Sequence, residues 1–369
     1  MALFTDIEPD QPRRRSRVRL GWILVSVAVV AIVAVAVIPA PYVIERPGPV
    51  YDVLGEVTID GDQTPLIQIP GEENYPTTGT LDMLTVSLRG NPDSLPSWFE
   101  IAAAYVDDSQ AILPVASVYP PGVTVEDSNE SGRIEMENSQ REAIAAALTE
   151  LGYDFPSTLT VASTTEGSPS DGVLQEGDVV TALNGESFAD VSGLREAIAA
   201  NGTDAAARVT IERDGAAQTV ELTPELSDTA EPTAVIGVLL QSDYEFPVDV
   251  SIQLENVGGP SAGMMFALGI IDKLTPGALT GGDSIAGTGT IDAAGEVGGI
   301  GGIVQKMYGA EDAGADWFLA PAANCCEVVG NEPDGIQVIR VATLDDAVTA
   351  LETISEGGDT SALPACVAG

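Results

Sequence analysis

The fold of the C-terminal half of the chain can be read outward from the stretch Gly258-Gly259-Pro260-Ser261-Ala262-Gly263. Proline is well tolerated at the first position of a helix, so the stretch predicts a tight turn and a helix that begins at Pro260. Ser261 would then lie in the first helical turn, where uncommitted N–H groups and the helix dipole can stabilise an oxyanion. A serine that only caps the helix is the alternative interpretation.

The base that could activate this serine is suggested by what the chain lacks. It has no histidine and only two lysines among 369 residues. A Ser-His-Asp triad and a histidine-containing metal site are therefore impossible, and a lysine amine is the natural base that remains. A helix that begins near Gly302 would place Lys306 on one face with Ile303 and Met307, where burial lowers the pKa of its amine. A lysine that extends to solvent is the alternative, and Lys273 is expected only to complement a helix dipole.

Several motifs follow these residues in a fixed order. They are Gly259-Pro260-Ser261-Ala262-Gly263, Thr288-Gly289, Gly295-x-Val297, and Ile300-Gly301-Gly302 followed by Lys306. Together they resemble the proteolytic domain of Lon-type serine proteases. The resemblance implies a mixed α/β (α+β) domain over 234–351, with Ser261 as nucleophile, Lys306 as general base, Thr288 as a hydroxyl that orients the lysine, and Gly259 and Pro260 in support.

Two positions depart from that family's pattern. Gly258 stands where an acidic residue is common, and Thr290 stands where a glutamate usually follows Thr-Gly. The histidines of many relatives, upstream of the serine, are also absent. The sequence has no nucleotide-binding P-loop, so no ATPase motor is expected to accompany the protease.

The preceding region, 156–224, resembles a PDZ domain of the bacterial protease type. The resemblance rests on the run from Gly167-Ser168-Pro169 to Gly177-Asp178 and on a hairpin signal at Asp214-Gly215. PDZ domains are mainly β and bind extended peptides by strand addition. The carboxylate-binding loop of the family is not identifiable in 151–155, so a purely structural spacer is the alternative. The PDZ-like unit is expected either to precede the Lon-type domain or to be inserted in it.

The N-terminus predicts a membrane anchor. Five arginines between residues 13 and 19 precede an uncharged run over 20–39. Such a run is long enough to cross a hydrocarbon core of about 30 Å, and the positive-inside rule keeps a tail at 1–19 in the cytoplasm. Everything after the span would then lie outside the cell. A cleaved signal peptide is the alternative.

The rest of the chain is assigned to shorter segments. The region 42–153 is expected to pack with the protease domain. It begins with an extended stretch at 42–51 that ends in a turn signal, followed by strands at 56–59, 66–69 and 79–88 and a helix at 137–151. Ser139 and Glu142 fit a capping box at the start of that helix. The acidic stretch 225–232 reads as a linker. The third unit begins with a strand at 234–240 and continues with strands near 285–291, 317–320 and 337–341 and helices from 303 and at 344–351, before a tail at 352–369.

Charge and cysteine content limit the partners. A formal charge of −41 disfavours nucleic acid and anionic lipid headgroups as ligands of the main body. Cys366 is expected to pair with Cys325 or Cys326, since adjacent cysteines rarely bond to each other. Three cysteines without histidine are too few for a structural zinc site, and no cofactor is expected.

These features favour a membrane-anchored, ATP-independent serine endopeptidase that cleaves peptides or unfolded proteins outside the cell. The first alternative is a non-catalytic, PDZ-based peptide-binding scaffold in which the Lon-like domain is a relic. A small-molecule kinase is a more distant alternative, since the glycine-rich turn loosely resembles a phosphate loop. The natural substrate, the cleavage specificity and the oligomeric state are not predicted.

Overall fold

The computed structural model describes residues 20–30, 38–59, 61–120, 122–188, 191–227, 232–254 and 257–367. The chain divides into two units, one of Met1–Arg46 with Leu88–Val125 and one of Pro47–Ser87 with Glu126–Gly369. The tail predicted at 1–19 lies outside the described residues, as do residues 31–37 of the membrane helix predicted at 20–39. Within the residues that are described, no helix is both long and apolar enough to cross a membrane.

The helices and strands are named in chain order. The helices are α1 (20–30), α2 (Trp98–Ala104), α3 (Val115–Val118), α4 (Val125–Glu150), α5 (Val191–Asn201), α6 (Gly263–Leu274), α7 (Ile303–Ala313), α8 (Cys325–Val328) and α9 (Leu344–Ser355), with 3-10 turns at Ala322–Asn324 and Thr360–Ala362. The strands are β1 (Tyr42–Asp52), β2 (Glu56–Ile59), β3 (Asp62–Pro65), β4 (Ile67–Gln68), β5 (Thr80–Arg89), β6 (Ala111–Pro114), β7 (Ser157–Thr164), β8 (Val179–Leu183), β9 (Ala207–Arg213), β10 (Ala216–Leu222), β11 (Glu225–Leu226), β12 (Ala234–Val235), β13 (Val238–Tyr244), β14 (Ser251–Ile252), β15 (Ser284–Gly287), β16 (Thr290–Ile291), β17 (Val297–Gly298), β18 (Trp317–Pro321) and β19 (Gln337–Val341).

The smaller unit is built on a short antiparallel pair. The first four residues of β1 pair with β6, and α2 begins at a capping box in which Ser97 and Glu100 bond each other's backbone. Ile44 and Ile101 are buried in its small core.

The larger unit contains a sheet in which β19, β18, β15, β5 and β1 are successive neighbours. The pairs β5–β15, β15–β18 and β18–β19 are parallel. Helix α6 is buried from Gly263 to Asp272, as expected of a helix that is apolar on all sides. The fold is therefore mixed α/β, as predicted, and the strand expected over 285–291 is divided into β15 and β16.

The PDZ-like region folds into an antiparallel five-stranded sheet with the order β10-β9-β8-β7-β13. Its core contains Leu159, Val180 and Leu194 among other residues. The strand predicted at 234–240 as the start of the third unit is wrong, since most of the strand found there belongs to this sheet. β13 pairs with β7 along its length, because Val238 and Leu240 pack against the core of this sheet.

The order of the strands shows how the two sheets are connected in sequence. Strands β1 and β5 precede the PDZ-like sheet in the chain, and β15, β18 and β19 follow it, yet all five belong to one sheet. The PDZ-like region is thus inserted between strands of that sheet rather than placed before all of them.

Helix α4 is longer than predicted. It begins at Val125 rather than near residue 137, so Ser139 and Glu142 lie inside the helix and the predicted capping box is wrong. Both side chains instead bind other elements: Ser139 Oγ donates to the backbone oxygen of Pro260 at 2.9 Å, and Glu142 accepts from the hydroxyl of Tyr244 at 2.9 Å. A serine three residues before a glutamate is typical of a capping box, but here both side chains bind partners that are distant in sequence.

The C-terminal tail is attached by a disulfide. Cys325, at the start of α8, is bonded to Cys366, and Cys326 is an exposed free thiol. Of the two pairings left open by the sequence, the structure contains the one with Cys325.

Candidate active site

The turn before α6 presents Ser261. Gly259 has a φ of +88°, a conformation that favours glycine, and its N–H donates to the backbone oxygen of Gly132 in α4 at 2.9 Å. The helix begins at Gly263 rather than at Pro260. Ser261 therefore lies in the turn before the helix and not in its first turn, because Pro260 and the two residues that follow it form the turn itself. The side chain of Ser261 is half-buried.

Lys306 lies on α7 as the sequence predicted. Its side chain is 1% exposed, and Ile303, Met307 and Ala310 on the same helix are fully buried beside it. The helix begins with the backbone bond from Lys306 N to Gly302 O at 3.0 Å. The apolar face proposed from spacing is thus real, and a lysine that extends to solvent is excluded.

Three polar side chains meet beneath the turn. Lys306 Nζ lies 2.6 Å from Ser261 Oγ and 2.9 Å from Thr288 Oγ1. Thr288 is fully buried, and its hydroxyl donates to the backbone oxygen of Ser261 at 2.8 Å. A hydroxyl has a single hydrogen, so Thr288 must accept from Lys306. Thr288 therefore connects the lysine to the backbone of the serine and fixes both.

Two backbone N–H groups adjoin the side chain of Ser261. The N–H groups of Ser261 and Ala262 make no hydrogen bond within the described residues. They lie at the N-terminal end of α6, whose first turns expose donors and a positive dipole. Such groups are suited to hold an oxygen that becomes negative.

Residues 122–223 match the PDZ domain family, and residues 255–352 match the Lon protease (S16) C-terminal proteolytic domain. Over 117 residues the chain is 32% identical to the Archaeal Lon protease of Methanocaldococcus jannaschii, a match that covers 32% of this chain and 17% of that relative. The chain contains a PDZ domain and a Lon-type proteolytic domain. Because it spans only 17% of the curated relative, the activity of that whole protein is not transferred with the match.

Two solved PDZ domains are also similar. The PDZ domain of an SdrC-like protein from Listeria innocua is 21% identical, covering 22% of this chain and 92% of that one, with a TM-score of 0.21. The PDZ domain of an SdrC-like protein from Listeria monocytogenes is 19% identical, covering 22% and 85%, with a TM-score of 0.20. Similarities at these TM-scores carry no argument about the fold.

The structure explains one departure from the Lon pattern. A Cβ added to Gly258 would lie 3.2 Å from the backbone of Gly132 in α4, closer than most Cβ contacts. An acidic side chain at this position would require the helix and the turn to separate. The close packing of Gly258 against Gly132 therefore explains why this chain has a glycine where an acidic residue is common.

The sequence patterns did not identify two residues that support the site, Ser139 and Asn324. Ser139 was interpreted as a helix cap, although its spacing from Met136 and Ala143 places it on the buried face of α4. Asn324 holds the loop before α7, since its side chain accepts from Ile300 N at 2.9 Å and donates to Ile300 O at 2.8 Å. The available signal was an amide three residues after a buried parallel strand, near the carboxyl end of the sheet where sites in α/β folds are common.

Proposed function

We propose that this chain is an ATP-independent serine endopeptidase in which Ser261 and Lys306 form a catalytic dyad. The observation that carries the proposal is the 2.6 Å separation of Lys306 Nζ from Ser261 Oγ in a Lon-type domain. Peptides and unfolded proteins are the expected substrates, because the sequence contains no P-loop for an ATP-driven unfolding motor.

The dyad can perform the acylation step. Burial disfavours the charged form of an amine, and Lys306 is almost fully buried, so the neutral amine is the proposed resting form. Lys306 takes the proton of Ser261 as Oγ attacks the scissile carbonyl carbon. The oxygen of the tetrahedral intermediate then lies against the N–H groups of Ser261 and Ala262. Thr288 accepts a hydrogen bond from the ammonium that has formed.

Proton return completes the cycle. The ammonium of Lys306 gives its proton to the departing amine as the C–N bond breaks, which leaves an ester on Ser261 and a neutral lysine. A water molecule then loses a proton to Lys306 and attacks the ester carbonyl. As the second intermediate collapses, the bond from the carbonyl carbon to Oγ breaks and Lys306 returns the proton to Oγ, which releases the carboxylic acid and restores the serine hydroxyl and the neutral lysine. The same three side chains serve both half-reactions.

The PDZ domain is proposed to hold part of the substrate. β13 is the last strand of its sheet, and PDZ domains bind extended peptides by adding a strand. After β13 the chain continues from Tyr244 to Ser261 without passing through another domain. A peptide paired with β13 would therefore be kept close to the turn that contains the nucleophile.

The location outside the cell is also proposed. The arginines between 13 and 19 and the apolar run over 20–39 support an N-terminal anchor with a cytoplasmic tail. The Cys325–Cys366 disulfide supports an oxidising compartment for the rest of the chain. Protease added to intact cells should digest the C-terminal region if that region lies outside the cell. A cytoplasmic C-terminal region would stay intact until the cells are lysed.

The dyad is tested by comparing the full chain with Ser261→Ala and Lys306→Ala on an unfolded protein and a quenched-fluorescence peptide library. Wild type is expected to cleave with or without ATP, and both variants are expected to be inactive while keeping a cooperative thermal transition. The midpoint of Lys306→Ala should be lower than that of wild type, because this substitution removes a buried side chain. Lys273→Met is the matched control, because the other lysine lies about 15 Å along α6 from its start and bonds Leu54 O. Absence of turnover by wild type, or full activity in either dyad variant, would refute the proposal.

A further inference from the structure

Ser139 reaches the nucleophile turn from a distant part of the chain. It lies on α4, is 4% exposed, and donates to the backbone oxygen of Pro260 at 2.9 Å across a sequence separation of 121 residues. A serine within a helix often bonds the carbonyl four residues earlier in its own helix. Ser139 bonds a different element instead, and the carbonyl that it contacts belongs to the residue directly before the nucleophile.

The bond from Ser139 orients the N–H of Ser261 as well as the carbonyl of Pro260. The C=O of Pro260 and the N–H of Ser261 belong to the same peptide unit, which is planar and trans, so the two groups point in opposite directions. Holding the oxygen on α4 therefore sets the direction of the Ser261 N–H. That N–H is one of the two donors placed at the oxyanion position in the proposed mechanism.

Helix α4 holds the other side of the turn as well. The backbone oxygen of Gly132, seven residues before Ser139, accepts from the N–H of Gly259 at 2.9 Å. Gly263, at the start of α6, leaves space for the side chain of Ser139, since a Cβ on Gly263 would lie 2.9 Å from Ser139 Oγ. The peptide unit before Ser261 is thus held on α4 by its oxygen, and the loss of Ser139 would leave that oxygen with only the longer bond from Gly263 N at 3.4 Å.

We propose that Ser139 is a positioning residue for catalysis, which orients the Pro260–Ser261 peptide so that the Ser261 N–H points at the developing oxyanion. The inference rests on the proposed function of Ser261. Residue 139 lies outside 255–352, the region that matches the Lon proteolytic domain. The active site would therefore depend on a residue from the segment before the PDZ sheet.

The test compares Ser139→Ala with wild type in the full chain. Ser131→Ala is the control, since Ser131 is an exposed serine eight residues earlier on the same helix. For Ser139→Ala we expect kcat to fall about 10-fold, the equivalent of one oriented hydrogen bond, with KM changed less than about twofold. A peptide aldehyde, which forms a tetrahedral adduct with the serine, should bind more weakly by the same factor, while Ser131→Ala matches wild type.

A second measurement is independent of turnover. Hydrogen exchange of the segment from Gly259 to Met265 should be faster in Ser139→Ala than in wild type and unchanged in Ser131→Ala. If wild type cleaves and Ser139→Ala keeps its kcat and its aldehyde affinity, the inference is overturned and the dyad stands. If wild type cleaves nothing, the proposed function fails, and unchanged exchange in Ser139→Ala would overturn the inference separately.

Discussion

Replacing Thr288 with valine tests how the lysine is held. Valine keeps the shape of threonine but removes the hydroxyl, and with it the bond from Lys306 Nζ at 2.9 Å and the bond to Ser261 O at 2.8 Å. The carbonyl of Ser261 keeps one partner, because it also accepts from Gly289 N at 2.9 Å. The substitution therefore affects mainly Lys306, which loses its hydrogen bond to Thr288.

The size of the effect follows from the charge of the lysine during the reaction. In the proposed mechanism Lys306 is an ammonium after it takes the serine proton, and a hydrogen bond to a charged group contributes about 1.5–3 kcal/mol. Each 1.36 kcal/mol corresponds to a tenfold change in rate, so Thr288→Val is expected to lower kcat by about 10- to 150-fold. Stability should fall by about 1–3 kcal/mol, since two hydrogen bonds of the neutral resting state are lost.

The assay uses initial rates of the full chain on a peptide that wild type cleaves, together with thermal unfolding. Thr288→Ser is the matched control, because it removes a methyl group and keeps the hydroxyl. Its kcat should remain within about threefold of wild type, although its stability should fall by about 1 kcal/mol for the lost methyl. The reasoning is refuted if Thr288→Val keeps the wild-type kcat, or if Thr288→Ser is as slow as Thr288→Val.

Two further substitutions test the electrostatics of the fold. Burial raises the pKa of Asp82 to about 6, and a raised carboxyl pKa contributes stability that is present below about pH 4 and lost as the pH rises through about 6. Asp82→Asn, which can still accept from Thr80, should therefore raise the free energy of urea unfolding by about 1–3 kcal/mol at pH 8 and leave it unchanged at pH 4. Arg213 bonds buried Asp178 at 2.6 Å and holds the pKa of that carboxyl below its usual range. Arg213→Met should cost about 3 kcal/mol at pH 7, with the loss shrinking below about pH 4, whereas Arg89→Met at an exposed pair should cost less than about 1 kcal/mol. An Asp82→Asn gain that is the same at both pH values, or equal costs for the two arginine variants, would contradict these assignments.

Much of the candidate site could be predicted because its residues have local signals. The glycines and proline around Ser261 mark a special turn, and the spacing of Ile303 and Met307 places Lys306 on a buried face. Two lysines in the whole chain also leave few candidates for a base. The direct contact of the three side chains beneath the turn was beyond these signals, since Thr288 and Lys306 belong to separate elements whose packing the pattern does not specify.

The errors share a physical cause. The prediction that the strand at 234–240 starts the third unit was wrong. Alternating apolar residues indicate a strand but do not show which other strand it pairs with. Ser139 was interpreted as a cap, because its partner Pro260 is distant in sequence. The helix start at Pro260 was wrong because glycine-rich turns can extend by several residues before helical hydrogen bonding begins. In each case the deciding interaction is non-local.

The insertion of the PDZ domain explains how α4 can remain beside the nucleophile turn. The chain enters the five-stranded PDZ sheet at Ser157 and leaves it at Tyr244, and these two residues are paired neighbours on β7 and β13. Domains whose ends lie close together can be inserted without separating the flanking segments. Tyr244 also bonds Glu142 on α4. The junction is therefore closed by the helix that supports Pro260, so the PDZ strand and the nucleophile turn are anchored on the same element.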